Sequence, residues 1–267
     1  MSIMRVQAER GIKVAMSAII TVKNLVKRYG EMIAVNDISF SVQSGEIFGL
    51  LGPNGAGKTT TLEMIETLKK PTSGQITVDG LSVADHAEAI KQRIGIQLQS
   101  AGFYPYLNLV ELLEMFGVMY GVAVDPLAML KMFNLEDKAK SVFTAMSGGQ
   151  KQRFSLATTL INQPKIIFLD EPTTGLDPQA RINLWEVIRQ IKARGVTIVL
   201  TTHYMDEAEQ LCDRLAIMDH GQLIAEGTPS QLISDLLNRG FTRHTEVKPA
   251  TLEDVFLDLT GHGLREI

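Results

Sequence analysis

Cysteine is almost absent: Cys212 is the only one in 267 residues. No disulfide can close within the chain and no cysteine cluster can hold a metal, which suits a reducing compartment. A lone thiol of this kind is expected as a small apolar side chain on a buried helix face. Long hydrophobic runs are missing too. Nothing approaches the ~20 apolar residues of a membrane-crossing helix, and the opening MSIMRVQAERGIKVAMSAII lacks the uninterrupted apolar core of a signal peptide. Residues up to about Ala15 read as an irregular extension, with Met16 as an alternative start. If the protein works at a membrane, another chain must cross it. Charge of one sign is also scarce: 26 Lys and Arg against 30 Asp and Glu give a net charge of −4, a poor match to a nucleic-acid-binding face. Aromatics are only 6% of residues, and the single tryptophan, Trp185, is expected in the core. What remains is ordinary. With 45% apolar and 21% charged residues, the chain can bury one large domain, or a core domain with a small appendage.

Against that plain background one stretch is specific. Leu50 to Thr61 reads LLGPNGAGKTTT, and Gly52, Gly57, Lys58 and Thr59 satisfy the phosphate-cradling pattern G-x-x-x-x-G-K-[ST]. Glycines let the backbone turn tightly and approach a polyphosphate, so that the N–H groups from Gly52 through Pro53, Asn54, Gly55 and Ala56 to Thr60 can form an anion nest, proline excepted. Lys58 is placed to reach the β- and γ-phosphates, and the hydroxyl of Thr59 to ligate Mg²⁺. Ile47 to Leu51 reads as a buried strand feeding the loop. Thr59 to Lys69 reads as a helix whose N-terminus faces the phosphates. The loop says "nucleotide" without saying what the energy is used for.

The rest alternates strand and helix signals. Ile19 to Lys23 and Ile38 to Val42 read as strands. Tyr29, between them, fits either an ordinary strand aromatic or a stacking platform for a purine ring. Gln75 to Val78 is a short strand closed by an Asp79-Gly80 turn, and a weak helix around His86 to Lys91 leads to a strand, Ile94 to Leu98, that ends in Gln99. From Phe103 to Ala145 the texture changes. Met115, Met119, Met129 and Met132, with Met146 just beyond, and Tyr104, Tyr106 and Tyr120 accompany helical patterns at Leu109 to Tyr120 and Pro126 to Phe133. Such soft stripes serve either a core or a partner-binding groove. Ser147-Gly148-Gly149-Gln150 opens a helix expected to run to about Ile161, with Ser147 as its cap; alone, Ser-Gly-Gly is only a turn. Ile166 to Leu169 is a continuous apolar strand that delivers Asp170 and Glu171 at its C-terminal end, where ligands of open parallel sheets gather. A loop from Thr173 to Pro178, an amphipathic helix at Asn183 to Ile191 and a strand at Thr197 to Leu200 bring the chain to Thr201-Thr202-His203. A helix at Met205 to Leu211, a strand at Leu215 to Met218, a hairpin at Asp219 to Glu226, a helix from near Pro229 and a short amphipathic segment at Thr251 to Thr260 complete it.

Each later motif is weak singly, but their order in one chain resembles the ATP-binding subunit of ATP-binding-cassette transporters, over roughly Ile19 to Thr228. The resemblance implies an α/β fold of the P-loop NTPase class: a RecA-like parallel core with an N-terminal antiparallel β-part and a helical subdomain at about residues 100–160. Residues 1–18 would be an extension and 229–267 a helical tail. By the same resemblance Tyr29 stacks adenine, Gly52 to Thr60 is the Walker A loop, and Gln99 senses Mg²⁺ and the γ-phosphate. Ser147 to Gln150 is the signature, with Met146 where leucine is usual. Asp170 is the Walker B metal carboxylate, Glu171 the general base, Asp177 part of the D-loop and His203 the switch histidine. It further implies ATP and Mg²⁺, a head-to-tail homodimer in which one copy's signature helix completes the other's ATP site, and an integral membrane permease. That permease would hold the subunit at the cytoplasmic face of the membrane, without nucleic acid. The segment TLEDVFLDLTG looks most like the daunorubicin-resistance branch of exporters, for drugs, antibiotics or lipids. A soluble cassette ATPase of the iron–sulfur assembly type is the alternative.

Overall fold

The computed structural model describes residues 18–97 and 102–241. Gln99, the N-terminal extension as far as residue 17 and the segment Thr251 to Thr260 lie outside the described residues. The chain opens with β1 (Ala18–Tyr29) and β2 (Met32–Gln43), followed by β3 (Ile47–Leu51), α1 (Lys58–Ile65), β4 (Ser73–Val78), β5 (Leu81–Ser82), α2 (Ala87–Lys91) and β6 (Ile94–Gln97). Three helices come next, α3 (Leu109–Tyr120), α4 (Pro126–Met132) and α5 (Gly148–Thr158). The chain then runs through β7 (Ile166–Asp170), α6 (Pro178–Ala193), β8 (Thr197–Thr202), α7 (Met205–Leu211), β9 (Arg214–Asp219), β10 (Gln222–Gly227) and α8 (Pro229–Asn238). Two sheets form: an antiparallel one in the order β2-β1-β4-β5, and a six-stranded one in the order β10-β9-β3-β8-β7-β6. Within the second, β9, β3, β8, β7 and β6 are parallel and β10 is antiparallel to β9.

The continuous apolar runs in β3, β7 and β8 are explained by burial on both faces of this sheet. Alternation then sorts their side chains. Ile47, Leu51, Ile167, Leu169, Ile198 and Leu200 face one core together with residues of α3 to α7. Phe48, Leu50, Ile166, Phe168 and Val199 face the other, with α1 and the antiparallel sheet. Cys212 belongs to the first core, and a Cβ on Gly49 would stand 2.6 Å from its sulfur, so only glycine lets the chain there approach β3 so closely. The chain divides into two units after Leu232, the first holding both sheets and the second beginning within α8 at Ile233.

Most boundaries move by a few residues, the helix opened by Ser147 ending at Thr158 rather than Ile161, and three larger differences have a physical reason. The helix after the phosphate loop stops at Ile65 rather than Lys69, because Thr67 takes φ +67° and both Leu68 and Lys69 donate to the Glu63 carbonyl. The first two strands are 12 residues each. They carry irregularities where Asn24 (φ +47°) and Asp37 (φ +52°) bond to each other, Asn24 Nδ2 donating to Asp37 Oδ1 at 3.0 Å. Those polar residues hide the strand pattern. Finally, the helix expected at Asn183 to Ile191 spans Pro178 to Ala193, started by Asp177 as cap and Pro178 in the first turn.

Candidate functional site

β3, β8 and β7 are adjacent and parallel, so their C-terminal ends arrive together. The register sets Leu51 beside Thr202 and Thr201 beside Asp170. The phosphate loop after β3 and the Asp170-Glu171 pair after β7 therefore flank the end of β8, which supplies His203. The loop itself is clamped from behind: Gly52 N–H donates to the Thr202 carbonyl at 3.3 Å and Gly221 N–H to the Ala56 carbonyl at 3.0 Å. A Cβ on Gly57 (φ +101°) would come 2.4 Å from the Ala34 carbonyl, and one on Gly52 2.1 Å from that of Met218. Glycine is required at both places for the loop to nest against its neighbours.

α1 starts at Lys58, and its first turn faces a cavity of about 790 Å³. Asn54, Gly55, Gly57, Lys58, Thr59, Thr60 and Glu171 line it, together with Tyr29, Met32, Ile33, Ala34, His220 and Gly221. Helix N-termini present unpaired N–H groups and a partial positive charge, so the cavity suits an anion. Lys58 is buried, 4% exposed, and its ammonium donates to the carbonyls of Gly52 (2.8 Å) and Pro53 (3.0 Å). It also stands 3.6 Å from Glu171 Oε1. Tyr29 is partly exposed, with the ammonium groups of Lys27 and Lys69 5.0 and 5.7 Å from its ring centre.

The acids are held tightly. Thr59 Oγ1 lies 3.2 Å from both carboxylate oxygens of Asp170, and the Thr201 hydroxyl donates to Asp170 Oδ1. Glu171 adopts φ +48°, a left-handed conformation that non-glycine residues avoid. Its N–H donates to Thr201 Oγ1 at 3.0 Å, and Thr174 Oγ1 donates to its Oε2 at 3.2 Å. His203 Nδ1 is 3.2 Å from Glu171 Oε1, close enough for an ion pair though not aligned as a hydrogen bond. Nearby, burial, then the charge of Asp170, then that of Glu63 push the Glu66 carboxyl up to about 8. Glu66 is therefore largely uncharged at neutral pH and adds little negative charge to the site.

The paired oxygens of Thr59 and Asp170 fit a hard divalent cation such as Mg²⁺. Among the described residues there is no group of three or more His, Cys, Asp or Glu placed to hold a metal ion by themselves. Such a cation would draw its remaining ligands from phosphate and water, as Mg²⁺ commonly does.

A second cavity, of about 440 Å³, holds the other predicted residues: Ser147, Gly148, Gly149 and Gln150, with Gly175, Leu176 and Asp177. Here the side chains serve local structure. Ser147 and Gln150 form a reciprocal capping box on α5, and Asp177 Oδ1 accepts from Ala180 N–H at 2.9 Å to cap α6. None of these residues lines the first cavity. Within one chain the structure brings together Tyr29, the phosphate loop, Asp170, Glu171 and His203. It leaves Ser147 to Gln150 and Asp177 apart.

Sequence reasoning had no role for Thr201, Thr174 or Glu66. The only signal was the position of Thr201 at the end of an apolar strand next to the histidine. It also missed Gln152, whose side-chain amide donates to the Pro172 carbonyl at 2.6 Å and so ties α5 to the segment just after Glu171.

Residues 35–174 match the family model described as ABC transporter. Nod factor export ATP-binding protein I of Burkholderia lata is 40% identical over 298 aligned positions, covering 91% of this chain and 97% of the relative. The chain belongs to the ABC transporter family. Its counterpart of the same description in Burkholderia pseudomallei is 46% identical, covering 89% of this chain and 95% of the relative. A solved ATP-binding subunit of an ABC transporter superposes with a TM-score of 0.74 at 31% identity, over 91% of this chain and 99% of that one. The ATP-binding cassette MJ0796, a dimer in a post-hydrolysis state bound to ADP and Pi, gives 0.71 at 29% identity, over 78% of this chain and 98% of that one. The protein is thus the ATP-binding subunit of an ABC transporter and an ATPase, with the expected α/β fold. Among the described residues no helix is long and apolar enough to cross a membrane.

Proposed function

We propose that this ABC subunit drives export through a permease, as a head-to-tail homodimer using Mg²⁺-ATP at the cytoplasmic face of the membrane. One observation carries the dimer: the phosphate loop and the capped Ser147 helix line separate cavities of the same chain. A triphosphate in the first cavity has a free side that a second copy's helix N-terminus can cover. Both copies would then hold the γ-phosphate while it exists and separate once it is cleaved. Export is supported by the relatives described as Nod factor export ATP-binding proteins, and the daunorubicin-resistance likeness is kept as the narrower reading.

In this mechanism Lys58 leaves the Gly52 and Pro53 carbonyls and turns to the β- and γ-phosphates. Glu171, aimed by Thr174 and His203, takes a proton from the water that attacks the γ-phosphorus. The bond to the bridging oxygen breaks, giving ADP and phosphate. Thr59 and Asp170 would hold Mg²⁺, which when bound would neutralise charge on the phosphates. Gln99 and Asp177 keep the family roles of γ-phosphate sensing and dimer contact in this proposal.

Tyr104 and Tyr106, 64% and 91% exposed, are proposed to receive a cytoplasmic helix of the permease. Phe103 is instead engaged inward, its ring 4.4 Å from Phe143 and 5.3 Å from Phe154 between centroids. The partner is tested by purifying the chain from its native membrane fraction. Copurification of an integral membrane protein is the expected result, whereas a soluble scaffold would favour a non-transport cassette.

A further inference from the structure

We propose that Thr201 is a positioning residue of the ATPase reaction, its one hydroxyl aligning both the metal-binding acid and the general base. The inference rests on the assignment of Asp170 and Glu171 made above. Thr201 is fully buried, and it lies opposite Asp170 in the β7–β8 register. Its O–H donates to Asp170 Oδ1 while its Oγ1 accepts from Glu171 N–H at 3.0 Å. The hydroxyl is therefore polarised in one direction, from the base's amide through Oγ1 to the acid's carboxylate, and each bond strengthens the other.

Two consequences follow from this geometry. Asp170 Oδ1 already accepts from a buried donor, which orients the carboxylate so that both its oxygens stand 3.2 Å from Thr59 Oγ1. Glu171, meanwhile, must keep φ +48° to project its side chain toward Lys58 and His203. The peptide between the two acids is pinned by the hydroxyl, and again by Glu171 N–H approaching the Thr201 carbonyl at 3.2 Å. The Thr201 hydroxyl bonds to the two acids, so it acts on chemistry and on the cation and not on nucleotide capture.

The test compares Thr201→Val, which keeps the shape and removes the hydroxyl, with Thr201→Ser, which keeps the hydroxyl and removes a methyl. Both are measured for ATPase kcat, for half-saturating Mg²⁺ and for ATP affinity without Mg²⁺. Loss of one charge-assisted bond predicts that Thr201→Val drops kcat by ~10–100-fold and raises the Mg²⁺ requirement several-fold. ATP affinity without Mg²⁺ should match wild type. Thr201→Ser should hold kcat within about threefold of wild type, because the hydroxyl that makes both bonds is kept. Wild-type kcat and Mg²⁺ response in Thr201→Val would overturn the proposal, and so would a ~10–100-fold loss of kcat in Thr201→Ser, which can be read even if the valine variant does not fold. Glu171→Gln is run alongside. If that variant also turns over normally, the assignment of the base has failed; if it is inactive while Thr201→Val is not, the role of Thr201 alone has failed.

Discussion

The two cavities of this chain, half-sites in the proposed dimer, are built on opposite plans. Around the phosphate loop the acids are joined to groups from far along the sequence: Thr59 with Asp170, Thr201 with Asp170 and Glu171, Glu171 with Lys58 and His203. At the Ser147 helix the capping bonds are local, three residues apart. The difference teaches a division of labour. The first half-site is preorganised around buried polar groups, Lys58, Asp170 and Thr201, where charges act strongly and reorganise little. The second is a stiff, capped helix end whose own groups are already satisfied, so what it can offer a ligand is its remaining N–H groups and dipole. Such an end adds to a site without making one.

That contrast predicts unequal penalties. The largest belongs to Glu171→Gln, which should lose ~10²–10⁴-fold in ATPase kcat while retaining ATP, because general-base positioning is removed and the cradle is not. With His203 and the signature intact, the trapped protein should hold two ATP per dimer; one per dimer, read by nucleotide quantification after gel filtration, would mean the two sites are inequivalent. Lys58→Ala should weaken ATP binding by ~10–100-fold, the worth of a charged hydrogen bond, in equilibrium titration of the isolated subunit. Glu66→Gln should act only on stability. The fold favours neutral Glu66, so its contribution is full below the unfolded value of 4.5 and is lost as pH rises through about 8. The variant's melting temperature should match wild type near pH 5 and exceed it at pH 8.5, by ~2–4 °C per kcal/mol. A constant gap across pH would place the Glu66 carboxyl outside the buried site.

What could be read from the sequence follows the same contrast. The phosphate loop, the IIFLDE strand and the SGGQ cap are contiguous words whose chemistry is fixed by spacing along the chain, and all three sit where expected. The contacts that tune the first half-site are not contiguous. Thr201 reaches Asp170 across 31 positions and Thr59 reaches it across 111, and neither pairing has a local signature. A strand-end threonine reads as ordinary β-branched filler until the register of β7 against β8 is known. The bulged strands were hidden for a related reason, since Asn24 and Asp37 look like turn residues and become strand residues only by bonding to each other. The start of α6 was different. Its signal, an Asp177 cap followed by Pro178 in the first turn, is legible in the sequence.

The central claim is that the phosphate loop of one copy is completed by the Ser147 helix of another. Mixing Lys58→Ala chains with Ser147→Arg chains tests it most directly, since each variant alone has every composite site broken. The mixed dimer carries one intact site, pairing the loop of the Ser147→Arg chain with the helix of the Lys58→Ala chain. Recovery of ATPase activity on mixing two inactive proteins is the predicted result; a mixture as inactive as its parts contradicts the account.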